Sequence, residues 1–396
     1  MALKHVLEKR NRSNGRKLRR LMLLAVTAFA LSACANTTSK DSAGADSGQE
    51  STKQADSQSG QVNGSADQNA KADSDSQEIT EYSQEVFAMD TYMTVTAYGA
   101  KAQEAVEESI SEIQRLDNLW SVGNAESEIA QINENGSLVL SEETATLIEE
   151  SLDLYKETDG KFDITIYPLM VEWGFTSQNY KVPAQERIEE LLAYVDADAI
   201  EYNKETRELK LPEHVQIDLG GIAKGYTSAH IMDIFAKYDI VSGLVSLGGN
   251  VQTYGTKTDG SNWKVGVENP DQTVGQLSKS DYVGVIQIAD KAVITSGGYE
   301  RYFEEDGVTY HHIIDPDTGK PANNGLISVT IVSDDGLLAD GLSTSLFIMG
   351  KEKAIDFWRE HSDQFDTILV DDQGGITVTA GLKEAFDSEL DFDIVE

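Results

Sequence analysis

Asp218-Leu219-Gly220-Gly221-Ile222-Ala223-Lys224-Gly225-Tyr226 is the stretch on which the reading of this chain turns. Before it, Val215-Gln216-Ile217 reads as a short apolar strand. After it, Ile231, Ile234, Phe235 and Tyr238 recur at helical spacing. A strand that passes through paired glycines into a helix leaves free backbone N–H groups at the turn, where an anion can bind. Gly220 and Gly221 carry no Cβ, so a ligand can approach the backbone closely. Lys224, in the first helical turn, opposes the helix dipole but suits a phosphate. The stretch fits neither the G-x-G-x-x-G nor the Walker pattern, and a plain strand–helix turn with a solvated lysine is the competing reading.

The composition narrows the classes. The 396 residues include 32 basic and 68 acidic side chains, a net charge of −36. So anionic a surface argues against a nucleic-acid partner. The single cysteine, Cys34, rules out an intramolecular disulfide and a cysteine metal cluster. Lys4, Lys9, Arg10, Arg12, Arg16, Lys17, Arg19 and Arg20 precede an apolar run from Leu21 to Leu31, the pattern of a signal peptide over residues 1–33 and short for a membrane span. The run ends in Leu31-Ser32-Ala33-Cys34, which resembles a bacterial lipobox. That resemblance implies cleavage before Cys34, a diacylglyceryl thioether on it, and anchoring in membrane lipid on the extracytoplasmic face of the cell membrane. Residues 34–84, rich in Ser, Asp and Gln, lack the apolar surface to fold and read as a disordered tether.

Residues 85–396 read as one large mixed α+β domain, or two fused α/β halves. Met93, Val95 and Ala97 alternate with Thr94 and Thr96 as in a half-buried strand. Val106, Ile110, Ile113 and Trp120 mark one helix, and Ile148, Leu152 and Tyr155 another, capped by Ser141. Ile188, Leu191, Leu192 and Val195 mark a third. Strands are expected at Leu244–Leu247, Trp263–Val267, Val283–Ala289, Ala292–Thr295, Ile327–Val332, Thr367–Val370 and Ile376–Val378. Asp340 is expected to open a helix that ends at Gly350.

Assembled in order, Met89-Asp90-Thr91, Asp159-Gly160 with Phe162-Asp163-Ile164-Thr165, Asp218 to Gly225, Ser246-Leu247-Gly248-Gly249-Asn250, Thr295-Ser296-Gly297-Gly298-Tyr299, His312-Ile313-Ile314-Asp315-Pro316 with Thr318-Gly319, and Ala339 to Thr344 resemble the ApbE-like family, the FAD:protein FMN transferases. The likeness runs from about Val86 to Val378. It implies magnesium-dependent transfer of FMN from FAD to a Thr or Ser hydroxyl of an acceptor protein, with release of AMP. The implied partners are FAD and membrane or extracytoplasmic redox proteins that accept covalent FMN. Two alternatives are an FAD pyrophosphatase and a non-catalytic flavin-binding lipoprotein.

The resemblance also implies roles. Asp340, Thr344 and the Gly221 carbonyl would hold Mg2+, a hard cation that takes oxygen ligands. Met89, Lys161, Phe162, Asp163, Asp218, Lys224 and Ile314 would contact FAD. Read without it, Met89 and Ile314 suit core packing and Asp218 a turn cap. Gly123 stands where many relatives carry an aromatic residue against the flavin, with Trp120 as a nearby substitute. His312 would be the general base for the acceptor hydroxyl, with His311 as a competitor. An unperturbed imidazole protonates at about 6.5, so transfer is expected to fall below about pH 6.

Overall fold

The computed structural model of the chain describes residues 79–270 and 282–396. The expected signal peptide, Cys34 and most of the expected tether lie outside them. Among the described residues, no helix is long and apolar enough to cross a membrane.

Alternation in the sequence becomes a sheet. Met93, Val95 and Ala97 are fully buried, while Thr94 and Thr96 face the other way and are half-buried. This strand belongs to a sheet of nine among the described residues: β1 (Thr80–Ala88), β2 (Thr91–Gly99), β3 (Ser242–Leu247), β4 (Asn250–Tyr254), β5 (Ala292–Gly297), β6 (Leu326–Ser333), β7 (Phe365–Asp371), β8 (Ile376–Thr379) and β9 (Asp393–Val395). Their order in space is their order in the chain. Neighbours pair antiparallel except β8 and β9, which run parallel. One sheet therefore runs through the whole unit, and of the two expected architectures the single mixed domain is the one observed.

The site-forming segments are insertions between adjacent strands. Residues 100–241 carry most of the helices, including Ala102–Trp120 and Ala223–Lys237, whose Ile110, Ile113, Ile231 and Phe235 pack on the first three strands. Residues 298–325 carry two short hairpins with the histidine pair. The Gly336–Met349 helix, between β6 and β7, is buried on nearly every side, with Leu342, Leu346, Phe347 and Ile348 in the core and Asp340, Ser343 and Ser345 buried among them.

Four expectations are corrected. Val215–Ile217 pairs with no strand. Val215 N–H turns back to the Pro212 carbonyl at 3.1 Å, and Ile217 is held by one side chain, its N–H donating to Asn133 Oδ1 at 2.7 Å and its carbonyl accepting from Asn133 Nδ2 at 2.8 Å. Asp340 does not open its helix. Asp335 does, its Oδ1 accepting from Leu337 N–H at 2.9 Å and Leu338 N–H at 3.2 Å, and Asp340 lies one turn inside. The third marked helix stops at Leu192, so Val195 follows it. The first strand starts at Thr80, ahead of Glu85, where apolar patterning begins.

Candidate active site

The glycine turn is locked from within and tied to a distant helix. Asp218 Oδ1 accepts Gly220 N–H at 2.8 Å. Burial pushes the Asp218 carboxyl up from its ordinary pKa, opposed by the Gly220 N–H and by the charges of Arg301 and Lys224. The helix runs Ala223–Lys237 with Ile222 as its N-cap, so Gly225 is its third residue and its N–H has no helical carbonyl to return to. It donates to Asp340 Oδ2 at 2.8 Å, and the Gly221 carbonyl, ahead of the N-cap, lies outside the helical ladder. The approach depends on Gly225, because a Cβ there would stand 2.3 Å from the Gly336 carbonyl oxygen and 2.7 Å from Asp340 Cβ.

Asp340 is 4% exposed. Its Oδ1 accepts from Asn250 Nδ2 at 2.9 Å and lies 3.6 Å from Lys224 Nζ. Lys224 also donates to the Gly220 carbonyl at 3.4 Å. Thr344, one turn beyond Asp340, lies with its hydroxyl 3.3 Å from Ser296 Oγ, which is 2.8 Å from Ser343 Oγ. A carboxylate offers about four lone-pair positions, so both Asp340 oxygens keep capacity beyond their protein donors. The Asp340 carboxylate, the Thr344 hydroxyl and the Gly221 carbonyl are oxygen donors of the kind Mg2+ would take. Among the described residues there is no cluster of three His, Cys, Asp or Glu side chains suited to another metal.

The other expected FAD contacts divide. Met89 and Asp90 form the β1–β2 turn with φ of 48° and 60°, a conformation uncommon outside glycine. Met89 Sδ lies 4.0 Å from Thr227 Oγ1, on the helix that follows the glycine turn. Phe162 is buried, its ring against Gly221, where a Cβ would come within 3.2 Å of it. Asp163 is committed to its own turn, with Oδ1 accepting Thr165 N–H at 2.7 Å and Oγ1–H at 2.6 Å, and burial pushes its pKa up. Lys161 pairs with Asp317 and lies 3.7 Å from Asp315, which ties this segment to the histidine loop. Ile314 sits in a buried cluster with Leu169, Trp173 and Phe175. Trp120 is no flavin-side substitute, because it is buried with Nε1 donating to Thr144 Oγ1 at 3.0 Å.

The two histidines have opposite tautomers. His311 Nε2 donates to the Ala322 carbonyl at 2.9 Å, and its Nδ1 accepts Ile313 N–H at 3.3 Å. Both of its nitrogens are used. His312 Nδ1 lies 3.3 Å from the Arg301 carbonyl, which can only accept. The proton is therefore on Nδ1, and Nε2 holds a free lone pair. Burial, then the charges of Arg301 and His311, push the His312 pKa down to about 3, so the ring is neutral at pH 7.

The sequence profile of the ApbE family matches residues 89–369. This chain belongs to the ApbE family. Among its curated relatives, the FAD:protein FMN transferase of Vibrio cholerae is 33% identical over 248 residues, covering 61% of this chain and 72% of the relative. That of Treponema pallidum is 30% identical over 328 residues, covering 77% and 89%. The ApbE protein of Thermotoga maritima superposes with a TM-score of 0.71 at 33% identity, over 77% of this chain and 99% of that one. The flavin transferase ApbE of Vibrio cholerae does so at 0.68 and 26%, over 78% and 99%.

In this ApbE family member, sequence reasoning missed Glu300 and Arg301. The Arg301 carbonyl holds His312 by its N–H at 3.0 Å as well as by Nδ1. The Arg301 guanidinium lies 3.6 Å from Asp90, beside Met89. Glu300 has an exposed side chain, yet desolvation by its packed neighbours pushes its carboxyl up, opposed by Lys224 and reinforced by Glu268. Both directly follow the Thr295–Tyr299 motif, the one signal that could have found them.

Proposed function

We propose that this chain is an FAD:protein FMN transferase that uses Mg2+ and acts on extracytoplasmic redox proteins at the membrane, anchored through lipid on Cys34. The observation that carries the reading is the bond from Gly225 N–H to Asp340. It ties the glycine turn to the helix that carries Asp340 and Thr344, with Lys224 Nζ 3.6 Å from Asp340, and supports a site in which the Gly221 carbonyl, Asp340 and Thr344 would hold the metal.

Mg2+ bound there would offset the charge of the FAD diphosphate. Lys224 adds a second cation at the same place. His312 Nε2 takes the proton of the acceptor hydroxyl. The hydroxyl oxygen then bonds to the phosphorus that carries the riboflavin moiety, and the bond from that phosphorus to the AMP oxygen breaks. AMP leaves as a phosphate monoester, and no electrons change hands. The diphosphate also counters Lys224 and Arg301, two of the charges that depress His312, so substrate binding raises the basicity of the ring.

The test is mass spectrometry of membrane proteins from cells with and without this chain, searching for FMN on Thr or Ser, paired with AMP release by the purified protein. AMP without an FMN adduct would replace the reading with FAD hydrolysis. No AMP at all would leave a flavin carrier.

A further inference from the structure

We infer that the cleft beside His312 seats the hydroxyl-bearing segment of the acceptor protein, an inference that rests on the transfer reading above. The cleft has a volume of about 270 Å³, and its lining includes Phe87, Asp90, Phe175, Tyr180, Glu300 and Arg301. Small-molecule sites run from about 300 to 1,000 Å³. This one is short of room for a whole dinucleotide and suits a few residues of extended chain. None of Asp218, Lys224 or Asp340 lines it.

His312 does not line the cleft but stands behind two residues of its wall. The Phe175 ring stands edge-on to His312 at 6.4 Å, and Arg301, on the cleft wall, carries the carbonyl that orients the imidazole. That wall is where a hydroxyl seated in the cleft would be passed to His312.

The rim has the composition of a protein-binding surface. Phe87 and Tyr92 are 61% and 76% exposed and pack edge-to-face at 5.1 Å. Tyr180 and Tyr302 are 40% and 48% exposed. These rings are exposed apolar surface around a polar cleft, on a chain of net charge −36, and exposed apolar groups of this kind mark interaction sites. Aromatic side chains around an arginine are the usual anchors of protein interfaces. Within the cleft, Thr176, Gln178 and Glu300 offer side-chain groups to a peptide backbone.

Phe87→Ser, Tyr92→Ser and Tyr302→Ser remove rim rings without touching the base, the glycine turn or the metal residues. The probe is a soluble fragment, bearing the modified residue, of a protein that gains FMN in the test above. Each variant is expected to raise the acceptor KM about tenfold, the equivalent of about 1.4 kcal/mol for one interface anchor. The kcat at saturating acceptor, the FAD affinity and the AMP released into water should stay at wild-type values. Three variants with wild-type acceptor KM would overturn the inference. So would a loss of FAD affinity, which would give the cleft to the dinucleotide, or a defect confined to assays with phosphatidylglycerol vesicles, which would give the rings to lipid. Failure of the transfer reading looks different, because the wild-type protein itself then leaves no FMN on the fragment.

Discussion

Asp340→Asn separates the metal role of this residue from its structural one. The carboxylate accepts from two buried donors, Gly225 N–H at 2.8 Å and Asn250 Nδ2 at 2.9 Å. An amide of the same shape keeps one oxygen, so one donor keeps its acceptor and the other faces an NH2 group. Losing a hydrogen bond to a charged group costs about 1.5–3 kcal/mol. That exceeds the ~1 kcal/mol of a lost helix cap, the role that sequence position alone suggested. Domains of roughly this size lose about 2–4 °C of Tm per kcal/mol, so a drop of about 3–12 °C is expected. Native domains hold about 5–15 kcal/mol, and the variant should still fold. The assay is thermal melting with and without MgCl2 and FAD, beside single-turnover transfer. A ligand at a hundredfold excess over its Kd stabilises by about 2.7 kcal/mol. The wild type should show such a rise with Mg2+, and the variant should lose both the rise and the transfer. An Asp340→Asn protein that keeps the Mg2+ rise and transfers normally at low magnesium would refute the metal role.

His312→Ala should slow transfer by about 10²–10⁴-fold, the usual worth of a positioned base, with FAD affinity kept. His311→Ala should instead lower the Tm, since it removes the bond to Ala322 and costs about 0.5–1.5 kcal/mol, while transfer by the folded protein stays near normal. If the histidine variants exchange these phenotypes in kinetics and melts, the base is misassigned. The pH profile should differ from the sequence expectation. With the free-enzyme His312 pushed down to about 3, the ring stays neutral as pH falls, and kcat/KM for FAD should show no histidine limb at about pH 6. A limb there would mean an ordinary histidine. Gly225→Ala should cost both the fold's stability and FAD affinity, because its Cβ meets backbone at 2.3 Å; an unchanged melt and unchanged FAD binding would contradict the close packing. Cys34→Ala should release the protein from membranes with activity intact, and persistence after a carbonate wash would exclude the lipid anchor.

Much of the framework is legible because it is written in local periods. Met93, Val95 and Ala97 can sit on one buried face only as a strand. The helix from Ala223 follows from Ile231, Ile234 and Phe235. Val215–Ile217 misleads for the same reason. Its local pattern is that of a strand, but its backbone partner is the Asn133 side chain, far away in sequence. Asp340 misleads because a helix buried on all sides has no polar face to mark its phase, so an internal carboxylate resembles a cap. Motif order brings Lys224, Asp340 and His312 to notice. The choice between His311 and His312 depends on two carbonyls, those of Ala322 and Arg301, that no sequence pattern locates.

The match between strand order and chain order bears on biosynthesis. A chain made from its N-terminus can add each strand to the edge left by the one before, with little need to reserve a gap for a later arrival. The site follows another schedule. The glycine turn is made early, and the carboxylate that completes it arrives 115 residues later. Until then the turn has its own internal bonds but not the Gly336–Met349 helix. A nascent chain thus carries six of the nine described strands before the bond that ties the glycine turn to the Gly336–Met349 helix can form.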